Sequence, residues 1–233
     1  MPGLSTKVVL NAISSTTYVS VLAVVTSLAL AGPVQSQSNN PCAPKKPKVT
    51  NPLNPCAPGH IKAPDAAHGL NPKAAQKAYA GLQKEMKAAF AQSEDPATRQ
   101  YQSWKRYNNA PYESTQHGDR YLNNYANKKA QAYIKYENSG PLPVGSILAK
   151  DSFTVLKDGK VYPGPLFLME KMPKGFKPQY GDWKYTMYLP DGSLIGETNG
   201  EGNENVDYCG ACHAQAGKGQ DHMFFLPQSY RIK

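Results

Sequence analysis

Cysteine is scarce in this chain. Four occur among 233 residues, and two of them fall together in the run YCGACHAQ, Tyr208 to Gln215. Acids are outnumbered, 17 against 26 Lys and Arg, for a formal charge of +9. Even so, no long basic block with interleaved aromatics is present, which excludes the usual footprint of a nucleic-acid binder. The bases are scattered, with Lys45, Lys46 and Lys48 in one small cluster and Lys171, Lys174 and Lys177 in another. A solvated basic surface is the plain reading. Docking to an acidic redox partner or an anionic membrane surface is the functional one.

Long apolar runs are missing too. YVSVLAVVTSLALA, Tyr18 to Ala31, is short of the roughly 20 residues a membrane span needs, and Asn11, Ser14, Ser15, Thr16 and Thr17 interrupt any longer run. With Lys7 before it and the small-x-small triplet Ala29-Leu30-Ala31 at its end, the segment predicts an export signal over residues 1–31, cleaved near Ala31. An uncleaved anchor is the alternative. The mature chain is then periplasmic or secreted, where disulfides persist.

Residues 32–70 read as a linker rich in Pro, Asn and Lys. The pentapeptide NPCAP occurs twice in it, at Asn40–Pro44 and Asn54–Pro58, so Cys42 and Cys56 occupy equivalent positions. A structural disulfide is the simplest use of the pair. A tether to a partner, or a metal site with His60 and His68, lacks supporting spacing. The segment 71–94 reads as a helix: Asn71 caps it, Pro72 takes its first position, and Ala75, Tyr79, Leu82, Met86 and Phe90 form one apolar stripe. A second helix is expected from Asp95-Pro96 to about Tyr107 and a third from Asp119 to Tyr136. From Gly145 strand patterns take over, with hairpin turns at Asp158-Gly159 and Asp191-Gly192. The fold class expected is α+β, N-terminal helices followed by an antiparallel sheet.

Cys209-Gly210-Ala211-Cys212-His213 follows the last strand. It has the C-x-x-C-H form of a c-type haem attachment site. Two thiols at this spacing can each add to a vinyl group of one porphyrin, and His213 then lies under the iron as proximal ligand. A thioredoxin-like pair usually opens a helix after an early strand, and a zinc site would have to recruit cysteines from the distant linker. The cofactor expected is therefore covalently attached haem iron. The sixth position decides the function. Met169 and Met187 sit in strand patterns, Met223 and His222 lie close behind His213, and His117 is distant enough to cross to the opposite haem face. A surface or helix-terminal role is the plainer reading of His117, and the distal side reads as open.

The stretches GSILAKDSFTV (Gly145–Val155), GDWKYTMYLPDG (Gly181–Gly192), YCGACHA and DHMFFLPQSYR (Asp221–Arg231) resemble the cytochrome P-460 family, which includes the cytochrome c′-beta branch. The resemblance covers roughly residues 95–233, the expected haem domain. It implies a mostly antiparallel β fold, often as a homodimer, with a five-coordinate haem on His213. In the branch that oxidises hydroxylamine a lysine is joined to the porphyrin, and the matching residue is Lys150. The other branch binds nitric oxide beneath an apolar cap. A small nitrogenous ligand and a redox partner protein are thus the partners implied. Under that resemblance, Glu204 is the candidate proton acceptor, with Glu201 and Asp207 as neighbours, and Phe153 and Phe167 are candidates for the distal wall. The NPCAP linker and the segment HGDRYLNNYANKKA depart from the family pattern.

Non-reducing peptide mapping is expected to recover one cross-linked species containing Cys42 and Cys56. Two free thiols there would reject the pairing.

Overall fold

The computed structural model describes residues 66–233. The expected signal segment and most of the linker, including Cys42 and Cys56, lie outside the described residues. Among those described, no helix is long and apolar enough to cross a membrane.

Helix α1 (Pro72–Phe90) begins as its sequence dictates. Asn71 accepts a hydrogen bond from the Ala74 amide at 2.9 Å, Pro72 opens the first turn, and Ala75, Tyr79, Leu82, Met86 and Phe90 are all buried. Asp95 caps a much shorter α2 (Pro96–Gln100), which tightens into a 3-10 turn over Tyr101–Ser103. The chain then enters strand β1 (Lys105–Arg106), so the second helix ends well before Tyr107.

After β2 (Tyr112–Ser114) the expected third helix is not found. Arg120–Ala126 is strand β3, and only 3-10 turns follow, over Lys128–Asn138. The reason is burial. Every residue of β3 is buried, so its apolar positions carry no two-residue alternation and can be mistaken for a helical stripe. The remaining strands lie where the sequence places them: β4 (Ile147–Val155), β5 (Val161–Pro163), β6 (Leu166–Lys171), β7 (Trp183–Tyr188) and β8 (Leu194–Glu197). Gly159 and Gly192 take the left-handed conformation their turns require, at φ +85° and +81°. All pairings are antiparallel, in the order β1-β3-β4-β6-β7-β8, with β2 also on β3 and β5 also on β4.

Side chains alternate across this sheet, and both faces are covered. One face carries Tyr121, Tyr125, Ala149, Phe153, Leu166 and Leu168 and packs on α1, so the helix shares a core with the sheet. The other carries Leu122, Ala126, Leu148, Met169, Trp183 and Tyr185 and packs beneath the C-terminal segment. On the α1 face the Asp151 carboxyl is fully buried, accepting from Tyr79 Oη at 2.7 Å and Asn123 Nδ2 at 3.0 Å. Burial outweighs those donors and pushes its pKa up to about 6.

A raised carboxyl pKa stabilises the fold below the ordinary carboxylate range, and that stability is lost as pH rises through about 6. Denaturant unfolding of wild type and Asp151→Asn is therefore expected to diverge between pH 4 and pH 7. The variant should gain about 3 kcal/mol relative to wild type, at about 1.4 kcal/mol per pKa unit. Parallel pH profiles would show that Asp151 does not titrate in this window.

Candidate cofactor site

The C-x-x-C-H run lies on α3 (Asp207–Ala214), which packs against β7 and the 3-10 turn Pro178–Tyr180. Gly210 makes the close approach possible. A Cβ there would meet the Tyr180 ring at 2.2 Å. Tyr180 in turn donates its hydroxyl to Asp207 at 2.9 Å, tying the start of α3 to the turn. Neither Cys209 nor Cys212 is in a disulfide; Cys209 is half-buried and Cys212 exposed.

His213 is buried, and its ring lies 5.3 Å from that of Tyr185 on the sheet. Its Nδ1 lies 3.0 Å from the His222 carbonyl oxygen. A carbonyl can only accept, so Nδ1 carries the proton and Nε2 keeps its lone pair, the tautomer a metal ligand needs. Burial first, then the Lys150 charge, lowers the His213 pKa to about 4. The His222 carbonyl is itself held in place. Trp183 Nε1 donates to the Asp221 carbonyl at 2.7 Å, and Asp221 Oδ2 accepts from the Leu142 amide at 2.9 Å. Lys171 Nζ pairs with Asp221 Oδ1 at 2.5 Å. Asp221 and His222 both adopt positive φ, and Gly181 leaves the space that the His222 ring fills. These positioning residues were not singled out from sequence. Two successive left-handed residues that are not glycine leave no sequence signal.

Lys150 sits on the same sheet face, between Asn124 on β3 and Phe167 on β6, with Met187 beyond. It is half-buried. Burial pulls its amine down to about 8, opposed by the Cys212 thiol. Lys150 and the motif helix therefore converge on one space. His117 joins them. It is half-buried, its ring packs edge-on against Phe167 at 5.2 Å, and its charged neighbours are Lys150, His213 and Arg120.

One expectation, Phe153, fails on placement. Phe153 points to the opposite face, fully buried against Tyr79 and Tyr121, so it packs the α1 core and cannot line a wall shared with Lys150. Glu204 is exposed on the 3-10 turn Asn203–Asn205, and Glu201 is exposed beside it. The charged groups acting on Lys150, His213 and His117 are Cys212 and basic side chains. A cleft of about 490 Å³ opens elsewhere, on the α1 face beside α2. Its polar walls are engaged with each other, Lys184 with Glu170 at 3.0 Å and Tyr188 with Asp95 at 3.0 Å.

The residues present fit a haem. The two thiols, the His213 imidazole and the half-buried Lys150 lie near one another on this face, and the buried Tyr185 hydroxyl near both cysteines has no protein partner. Among the described residues no three His, Cys, Asp or Glu gather as a metal-only site.

The fit of α3 to Tyr180 is open to direct test. Gly210→Ala should destabilise the protein by about 1–3 kcal/mol, although alanine is the better helix former by about 1 kcal/mol. In a Tyr180→Ala background the same change should be neutral or stabilising. Equal cost in both backgrounds, by denaturant unfolding, would place the strain elsewhere.

The family model for cytochrome P-460 matches residues 98–225. No curated protein matches the chain. The match spans more than half of the sequence and runs from within α2 through the C-x-x-C-H helix to the segment that anchors His213, and by it the chain belongs to the cytochrome P-460 family and is a haem cytochrome.

Proposed function

We propose that this is an exported mono-haem c-type cytochrome that oxidises a small nitrogenous substrate, hydroxylamine, and passes the electrons to a redox partner protein. The observation that carries the reading is the tautomer of His213. Its Nδ1–H is spent on the His222 carbonyl, and its Nε2 is left for iron beside two thiols and a half-buried lysine. Export is supported by the sequence from Lys7 to Ala31, and docking of an acidic partner by the +9 charge.

Bound here, the haem supplies an iron centre that withdraws electrons from a small ligand. The protein's part begins with Cys209 and Cys212. Each thiol would add across one vinyl group, sulfur to one carbon and hydrogen to the other, so nothing would be oxidised and nothing would leave. His213 Nε2 would hold the iron. Lys150, with a pKa near 8, exposes a fraction of free amine at neutral pH, and its nitrogen would be the nucleophile for a bond to the ring edge. That bond would replace one N–H and one ring C–H, and the two hydrogens would leave with two electrons to an external two-electron oxidant. Phe167 supplies the apolar wall that the sequence divided between Phe153 and Phe167.

A second reading, nitric oxide binding without turnover, is favoured by one observation. The groups around His117 and Lys150 are basic, and Glu204, the expected proton acceptor, is exposed.

Chain purified from a haem-maturing host is expected to show a strongly red-shifted Soret band when reduced. Lys150→Ala should lose that shift and regain the two missing hydrogens by intact mass. Hydroxylamine-dependent reduction of an artificial acceptor should fall with it. An ordinary high-spin spectrum with full haem, unchanged in the variant, would remove Lys150 from the chemistry and leave nitric oxide binding.

A further inference from the structure

His117 ends a 3-10 turn, Thr115–His117, that leads from β2 into β3. Its place over the sheet is set by two contacts. The ring leans edge-on against Phe167, with centroids 5.2 Å apart at 71°. Nδ1 lies 2.9 Å from Ser114 Oγ, so Nε2 is the nitrogen left for another partner. The turn is braced from below. Arg120 Nη1 donates to the His117 carbonyl at 3.2 Å and to the Gly118 carbonyl at 3.4 Å. Gly118 sits at φ +81°, where a Cβ would meet the Arg120 guanidinium at 2.1 Å. A surface histidine needs no such seat.

Register then relates His117 to His213. Phe167 faces Met187 across the β6–β7 pair, and Tyr185, under His213, lies two residues before Met187. Strands lie about 4.8 Å apart and rise about 3.3 Å per residue. The points on which the two imidazoles rest are therefore about 8 Å apart on one sheet face. Lys150 rises from that face, and its charge reaches both rings. Both imidazoles and the Lys150 amine therefore gather over one patch of the sheet. A flat ring system held between two such side chains would need contact distances of about 3.5–4.0 Å on each side, which a spacing of this order allows.

We propose that His117 is the distal residue of this haem site, standing across the haem plane from His213 over the sixth position of the iron. This rests on the haem reading above. It places an imidazole on the distal side, which reads from the sequence as open. It also gives roles to Ser114 and Arg120, which position His117 through its Nδ1 and its carbonyl. The ligand class is small: a diatomic or hydroxylamine-sized molecule that can hydrogen-bond to Nε2, or the iron itself.

The test is vibrational and optical spectroscopy of the full-length haem-loaded protein with carbon monoxide as probe, comparing wild type with His117→Leu, Ser114→Ala and Met187→Leu. His117→Leu is expected to shift the C–O stretch of the ferrous adduct. Ser114→Ala should shift it less, in the same direction, and Met187→Leu should leave it unchanged. If the wild-type iron is instead six-coordinate and low-spin before carbon monoxide is added, conversion to high-spin in His117→Leu supports the same assignment, because His117 then binds the iron directly. Identical spectra for wild type and His117→Leu, both with full haem, would overturn it. So would a change found in Met187→Leu and not in His117→Leu. Protein that takes up no haem fails the underlying site reading and this proposal with it, whereas full haem with an indifferent His117 sinks this proposal alone.

Discussion

Strand β4 must bury both of its faces, and most of what this protein can do follows from that. Neighbouring side chains on a strand point to opposite sides. Lys150 and Asp151 are therefore adjacent in sequence and separated by the sheet. On one side an acid is sunk among tyrosine hydroxyls and an asparagine amide under α1. On the other an amine is sunk with no acid among the groups acting on it. Burial moves both pKa values toward neutral, the acid upward and the base downward. The sheet thus holds apart two groups that would otherwise neutralise each other as a simple ion pair, and leaves the lysine available to the cofactor side.

The second requirement is that His213 hold one tautomer, and this is met far from the motif. The His222 carbonyl accepts the proton, and it is aimed by Asp221, whose main chain and side chain are gripped by Trp183, Lys171 and Leu142. Further along, Arg231 pairs with Glu137, and Asn108 bridges to Arg231. The segment after the motif is therefore structural support for the ligand.

What was legible in the sequence divides along physical lines. The C-x-x-C-H spacing, the cap and stripe of α1, and the turns at Gly159 and Gly192 are local, and local patterns survive folding. Strand β3 was misread because a strand buried on both faces loses the alternation that marks it. Phe153 was misplaced although the signal was present: it lies three residues from Lys150 on one strand, and an odd separation puts two residues on opposite faces. Phe167 needed the β4–β6 register, which no local pattern supplies. His117 could be named as distant enough to reach the haem. Its seat depends on Arg120 and on the turn at Gly118, and these become visible only when β2, β3 and β6 are brought together.

The basic surroundings of the cofactor space also bear on how readily it accepts an electron. Lys150 and Arg120 lie on one face of the sheet, and both act on His117. A fixed cation beside a redox centre stabilises the form that has gained negative charge, so these side chains would raise the reduction potential of a haem bound here. With a pKa near 8 the unlinked Lys150 is mostly protonated at neutral pH and contributes fully. Bonded to the ring, its nitrogen loses that ammonium charge. One residue would then set two properties at once, and forming the bond would exchange electron affinity for an altered macrocycle.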